Sequence, residues 1–188
     1  FAQRNNLKMR GHTLVWHSQA PTWFFTNATG DTVSKKVLLQ RMKEHITAVA
    51  GRYRGKVYAW DVVNEVISDD PREFYRQSPF LRIIGEEFIE KAFRFAHEAD
   101  PDALLFYNDY NEIDARKREK IFQMVKRLKD NGVPIHGVGL QGHWAISEPR
   151  YDQLDSTLGR FAQLGLPIHI TEIDISVYPK EHQPRERN

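Results

Sequence analysis

Five times along the 188 residues an apolar run ends on polar side chains able to do chemistry. In order these are Trp16 and His17, Asn64 and Glu65, Asn108 and Asp109, Gln141 and His143, and Glu172 and Asp174. Among them Glu65 and Glu172 stand apart, because a Glu at the end of a β-strand beside Asn64 or Asp174 has little packing value and is better explained by catalysis. Two carboxyls brought from separate strands to one mouth is the arrangement that cleavage of a glycosidic bond requires, one carboxyl protonated as general acid and the other ionised. Strand alternation places Ala59, Asp61, Val63 and Glu65 on one side, Gln141 with His143 on another, and Ile170, Glu172 and Asp174 on a third. His12 shares a side with Leu14 and Trp16 on the strand preceding that of Asp61. Two histidine–carboxylate pairs are therefore expected, His12 with Asp61 and His143 with Glu172 and Asp174. For His12 and Asp61 a buried structural pair explains the residues equally well.

Other chemistries fit less well. No HExxH and no Asp/Glu/His cluster has ligand spacing, and His12 and His17 have opposite parity on their strand, so no metal site is expected. No glycine-rich loop joins a strand to a helix, so no nucleotide or other cofactor is expected either.

The elements that must position these residues are runs rich in β-branched or aromatic residues at 8–16, 57–63, 103–107, 137–140 and 167–171. Between them apolar residues recur at helical spacing: Val33, Val37, Met42, Ile46 and Val49, then Phe88, Ile89, Ala92, Phe93 and Ala96. Asp114 is placed to cap a helix carrying Ile121, Met124, Val125 and Leu128 and stopping at Gly132. Leu154, Leu158, Phe161 and Leu164 mark another, ended by Gly165. Alternation of this kind makes the strands parallel and leaves a doubly wound open sheet or a (β/α)₈ barrel. An open sheet concentrates its chemistry at one switch point, whereas a barrel gathers residues from the carboxyl ends of many strands. Every strand end is loaded here, which favours the α/β TIM barrel. Eight units take about 250 residues, so five strands predict a single partial domain over 1–188. Both ends look cut: FAQRNN resembles the tail of a helix, and YPKEHQPRERN resembles a loop.

Charge narrows the partners. With 27 basic against 25 acidic residues and a net charge of +2, no broad field would draw the chain to nucleic acid or an anionic membrane. No apolar run approaches the ~18 residues of a membrane span. The basic stretch from Arg116 to Lys129 lies opposite an apolar stripe and reads as a solvated helix face. The chain has no cysteine, which removes disulfides and thiolate chemistry and leaves the compartment undecided.

Long blocks carry a resemblance that runs essentially end to end: GHTLVWHSQAPTWF at 11–24, WDVVNE at 60–65, LFYNDYN at 105–111, GLQGHW at 139–144 and ITEIDIS at 170–176. At these residues the chain resembles the family 10 glycoside hydrolases, the endo-β-1,4-xylanases. The resemblance implies that the five strands are the third to seventh of the barrel. It also implies a retaining, double-displacement hydrolysis of internal xylosidic bonds, with Glu65 as acid/base and Glu172 as nucleophile. By the same likeness Asn64 bonds the sugar 2-hydroxyl, and His143, backed by Asp174, orients the nucleophile. His12, Trp16 and Gln141 line the sugar at the cleavage point, while Asp61, from its place on the strand beside that of His12, stays a candidate to support it from behind. Tyr110 resembles a stacking platform on the leaving-group side, with a Tyr simply packed on the rim as the plainer alternative. The implied partner is xylan or a xylo-oligosaccharide. Family contacts borne on the first two strands and on the eighth are not among these residues, so open edges, self-association along them, or a non-catalytic barrel segment are the alternatives. A mixed xylanase/cellulase is a further one.

Overall fold

The protein is described by a computed structural model over residues 1–177, and the expected loop at 178–188 lies outside the described residues. All five expected strands form close to their expected bounds: β1 (Met9–Trp16), β2 (Val57–Asn64), β3 (Leu104–Asp109), β4 (Gly137–Leu140) and, after an intervening short strand, β6 (Ile168–Ile170). They pair in parallel in the order β1-β2-β3-β4-β6. Helices connect them: α1 (Lys35–Arg52), α2 (Pro79–Ile84), α3 (Glu87–Ala99), α4 (Ala115–Asp130) and α5 (Tyr151–Ala162). This is the (β/α)₈ barrel class, represented by five consecutive strands and their covering helices.

Local sequence explains the boundaries. The Asp114 side chain accepts from the backbone N–H of Arg116 and Lys117 and so starts α4, and Gly132, at φ +65°, supplies the left-handed turn that follows it. The Ser34 hydroxyl accepts from Val37 N–H at the start of α1. α2, which has no periodic signal of its own, is a short turn capped by Ser78 with Pro79 at its first position, and it ends at Gly85. Most of the helical apolar residues face the sheet, although Val37, expected on the α1 stripe, is exposed and Leu38 takes its place in the core. Leu38, Met42, Ile46 and Ala50 of α1, Phe88, Ile89, Ala92, Phe93 and Ala96 of α3, and Ile121, Met124, Val125 and Leu128 of α4 are buried with Val62, Leu105 and Val138 of the strands. Each large side chain so covered contributes roughly 1.5–3 kcal/mol. That shared core fixes the strands, and the strands fix the polar residues at their ends.

Two features depart from simple alternation. A pair of three-residue strands, β5 (His143–Ala145) and β7 (Asp174–Ser176), forms a separate parallel ladder just beyond β4 and β6. In addition, the pairing of β1 with β2 slips between His12 and Val15, and that of β2 with β3 slips between Asp61 and Val63. Asp61 and Asn64, three residues apart, consequently reach into one polar network, where a strict period of two would put them on opposite sides. Ile170 and Glu172 likewise do not behave as one face: Thr171 and Glu172 both bond Asn108, because the strand ends at Ile170.

Candidate active site

Parallel register brings the strand ends to one level: Trp16 lies opposite Asn64, Asn64 opposite Asn108, Asn108 opposite Gly139, and Leu140 opposite Ile170. The ladder continues past the strands, since Glu65 N–H donates to Asn108 O, Gln141 N–H to Asp109 O and Glu172 N–H to Gln141 O, each at 2.9 Å. Both candidate carboxyls are therefore set by main-chain bonds one or two residues beyond a strand, the buried β2 for Glu65 and the partly exposed β6 for Glu172.

A cluster of three amides joins them. Gln141 Nε2 donates to Glu65 Oε1 at 2.9 Å and to Asn64 Oδ1 at 3.3 Å. Asn108 Nδ2 donates to the same Asn64 oxygen at 3.0 Å and to Glu172 Oε1 at 2.7 Å. Trp16 Nε1 donates to Glu65 Oε2 at 2.9 Å, so both oxygens of Glu65 are held. Asn108 is itself oriented by Thr171, whose hydroxyl donates to its Oδ1 at 2.7 Å. Gly139 makes room for that amide, because a methyl at this position would overlap Asn108 Oδ1.

On the other side of Glu172 stands His143, with Nε2 at 3.3 Å from Oε2 and Nδ1 at 2.8 Å from Asp174 Oδ2. Burial works against a charge on His143, but hydrogen bonds and charge from Asp174 and Glu172 outweigh it and raise its pKa above the ordinary histidine value. An imidazole bonded to carboxylates through both nitrogens donates to both only when it carries two protons, in agreement with that direction. His12 Nδ1 lies 3.1 Å from Asp61 Oδ2 and 3.9 Å from Glu172 Oε1. The hydrogen bond with Asp61 is the main cause of its raised pKa; burial opposes it, and the charges of Asp61, Glu172 and Glu65 reinforce it.

Asp61 is buried, and Arg10 explains how that carboxylate is tolerated. The guanidinium donates to both Asp61 oxygens, stacks 4.4 Å from the centre of the Phe106 ring, and places Nη1 2.9 Å from His169 Nδ1. Tyr110 sits in a second charged cluster at the rim. Its hydroxyl bonds Asp69 and Arg76, and Lys117 Nζ lies 3.6 Å from the ring centre, covering one of its faces. Burial and the bond to Asp69 push Tyr110 up to about 12. Burial disfavours the charge on Asp69, yet the bonds from Lys117 and Tyr110 hold it well below the usual carboxylate range. Beneath them Asp109, fully buried, is pushed up to about 6 by burial against the pull of Lys117 at 3.0 Å.

All ten candidate residues from the sequence thus fall into one connected region: seven gather around the two carboxyls of Glu65 and Glu172, and Tyr110 stands at the rim. Arg10, Asn108, Arg76 and Thr171 were not among the candidates. Asn108 carried a signal, being one of the polar residues that end an apolar run, though the sequence assigns it no role, whereas Arg10 and Arg76 carried none. A groove of about 680 Å³ runs beside the candidate site on the β1 edge and touches His12 and Trp16 but neither carboxyl. Among the described residues no group of three His, Cys, Asp or Glu is placed to hold a metal ion.

The sequence profile of Glycosyl hydrolase family 10 matches residues 1–188. A beta-1,4-xylanase of Dictyoglomus thermophilum is 56% identical over 178 residues, covering 95% of this chain and 49% of that protein. An endo-1,4-beta-xylanase of Geobacillus stearothermophilus is 54% identical over 170 residues, covering 90% of this chain and 52% of its own length. Among solved structures, xylanase XynB from Paenibacillus barcinonensis, complexed with a conduramine derivative, superposes with a TM-score of 0.94 at 49% identity, over 100% of this chain and 56% of that one. The chain spans about half the length of the curated relatives it matches.

Proposed function

The chain belongs to glycosyl hydrolase family 10, and from that premise we propose that the protein is a retaining endo-β-1,4-xylanase whose reacting groups are Glu65 and Glu172. The observation that carries the proposal is the amide cluster of Asn64, Asn108 and Gln141, which ties two carboxyls from different strands to one polar surface.

In the first displacement a Glu172 oxygen attacks the anomeric carbon of a xylose unit, and the glycosidic C–O bond breaks as Glu65 delivers its proton to the departing oxygen. The product is a covalent glycosyl ester on Glu172. In the second, the now ionised Glu65 takes a proton from water, the water oxygen attacks the anomeric carbon, and the Glu172 carboxylate leaves with configuration retained. This chemistry needs carboxyls about 5 to 5.5 Å apart and calls for neither metal nor nucleotide. Asn64 suits a role at the 2-hydroxyl: its oxygen is taken by two donors, so its NH₂ is what it has to offer a substrate. That bond would strengthen as positive charge develops on the sugar ring. His143, fixed by Asp174, would orient Glu172. His12, Trp16 and Gln141 would line the sugar at the cleavage point, with Asp61 behind His12, and the Tyr110 ring would stand at the rim on the leaving-group side.

Two substitutions test the assignment. Glu172→Ala is expected to abolish turnover of xylan, and added azide to restore it with an inverted glycosyl azide as product. Absence of rescue counts against the nucleophile. Glu65→Gln is expected to spare kcat/KM on activated aryl xylosides while losing it on xylan, and an equal loss on both contradicts the acid role. Greater release of reducing sugar from carboxymethylcellulose than from xylan would overturn the substrate assignment.

A further inference from the structure

Glu65 holds an unusual backbone. Its φ is +57°, in the left-handed region that a residue with a side chain enters only at a cost, so the surroundings must over-determine it. Three of the four groups that do so belong to the site already described: Asn108 O on its N–H, and Trp16 and Gln141 on its carboxyl. The fourth is Arg76, whose Nε donates to the Glu65 carbonyl at 3.0 Å.

Arg76 reaches that carbonyl because the segment after β2 folds back on itself. Ser68 N–H donates to Phe74 O at 3.1 Å, and Arg76 N–H donates to Val66 O at 2.8 Å. The other arm of the same guanidinium is engaged elsewhere. Nη2 donates to Asp69 Oδ2 at 3.0 Å and to the Tyr110 hydroxyl, and Lys117 closes the cluster by bonding Asp69 at 2.8 Å. One planar fork thus grips the carbonyl of one residue and the rim aromatic of another, a geometry that a lysine ammonium cannot reproduce.

We propose that Arg76 is a positioning residue that ties the Tyr110 rim to the backbone aiming the Glu65 carboxyl. A sugar seated against Tyr110 is then coupled, through one guanidinium, to the group that must protonate its oxygen. The inference rests on the assignment of Glu65 as acid/base.

The test compares kcat/KM on xylan with kcat/KM on an aryl xyloside whose leaving group needs no protonation, since this ratio reports the first displacement alone. Misplacing a general acid forfeits part of its 10²–10⁴-fold contribution, so Arg76→Lys is expected to lose about ten- to a hundredfold on xylan and less than about threefold on the aryl substrate. Tyr110→Phe keeps the ring but removes the hydroxyl that Arg76 grips. It is expected to show the same selectivity at smaller size and serves alone if Arg76→Lys does not fold. Equal losses on the two substrates, or no loss on xylan, overturn the proposal. Glu65→Gln run in parallel separates the failures. If it discriminates between the substrates and the Arg76 and Tyr110 variants do not, only the coupling falls; if it does not discriminate, the acid/base assignment falls and the coupling with it.

Discussion

Asp61→Asn removes one negative charge from the barrel interior while keeping shape. The Asp61 side chain is 2% exposed, and its partner Arg10 retains 17%. An asparagine has one oxygen to offer, and Arg10 donates to both positions, so in either orientation its NH₂ must face a guanidinium N–H, donor against donor. Breaking one partner out of a buried ion pair costs about 3–5 kcal/mol. Arg10 keeps some solvent, its contact with His169 at 2.9 Å and its stacking on Phe106, which places the expected loss near the lower bound, about 3 kcal/mol. With a urea slope of about 2 kcal/mol per molar, the unfolding midpoint should fall by about 1.5 M. Removing the stranded cation with Arg10→Met on the same background should recover much of the loss. A pH dependence accompanies it. His12 has its pKa raised in the folded state chiefly by Asp61, so its stabilising contribution is complete below the unfolded value of 6.5 and disappears as pH rises through the folded value. The gap between native protein and Asp61→Asn should therefore be widest in mild acid and narrow toward alkali. Equilibrium urea unfolding from about pH 5.5 to about pH 8.5 measures it across the histidine range. A loss under about 1 kcal/mol, the size of a surface ion pair, or a gap that widens with pH, would refute the reasoning.

The other side of Glu172 gives a second pH test. Asp174→Asn removes the negative charge that helps to raise the His143 pKa and leaves only a neutral acceptor, so the imidazole should titrate at lower pH by proton NMR, and any alkaline limb of kcat/KM that reports His143 should move down with it. An unmoved titration would contradict the bond at 2.8 Å. Gly139→Ala pushes a methyl into Asn108 Oδ1, with Thr171 Cγ2 at 3.0 Å, and should cost about 1–3 kcal/mol of stability while lowering kcat about tenfold or more through the displaced amide. Thermal melting and steady-state kinetics check both. Gly51, in the last turn of α1 with nothing within 4 Å of an added methyl, is the control, and its change to Ala should leave activity alone.

The sequence made legible what regular periodicity and strand ends encode. Runs such as 57–63 and the α3 stripe of Phe88, Ile89, Ala92, Phe93 and Ala96 have only one way to be buried, and polar residues following such a run must emerge at the mouth. The slips in pairing near Asp61 and Thr13 were not legible, because a bulge leaves no mark on composition. They decide which of Asp61, Val63 and Asn64 share a surface. Short strands such as β5 and β7 carry too few residues for a period. Arg10 and Arg76 escaped for a different reason. An arginine's role depends on the carboxylate or carbonyl it meets, and Arg10 meets one 51 positions away, while Arg76 meets one across a folded-back loop.

The short ladder of β5 and β7 sets His143 directly opposite Asp174 by main-chain pairing. That histidine's aim is therefore written partly in chain length: the number of residues separating Leu140 from His143, and Ile170 from Asp174, must keep the two pairings in step. Losing or gaining a single residue in either link would slide the imidazole past its acid even with every side chain retained. Such links should accept exchanges of residue type more readily than indels.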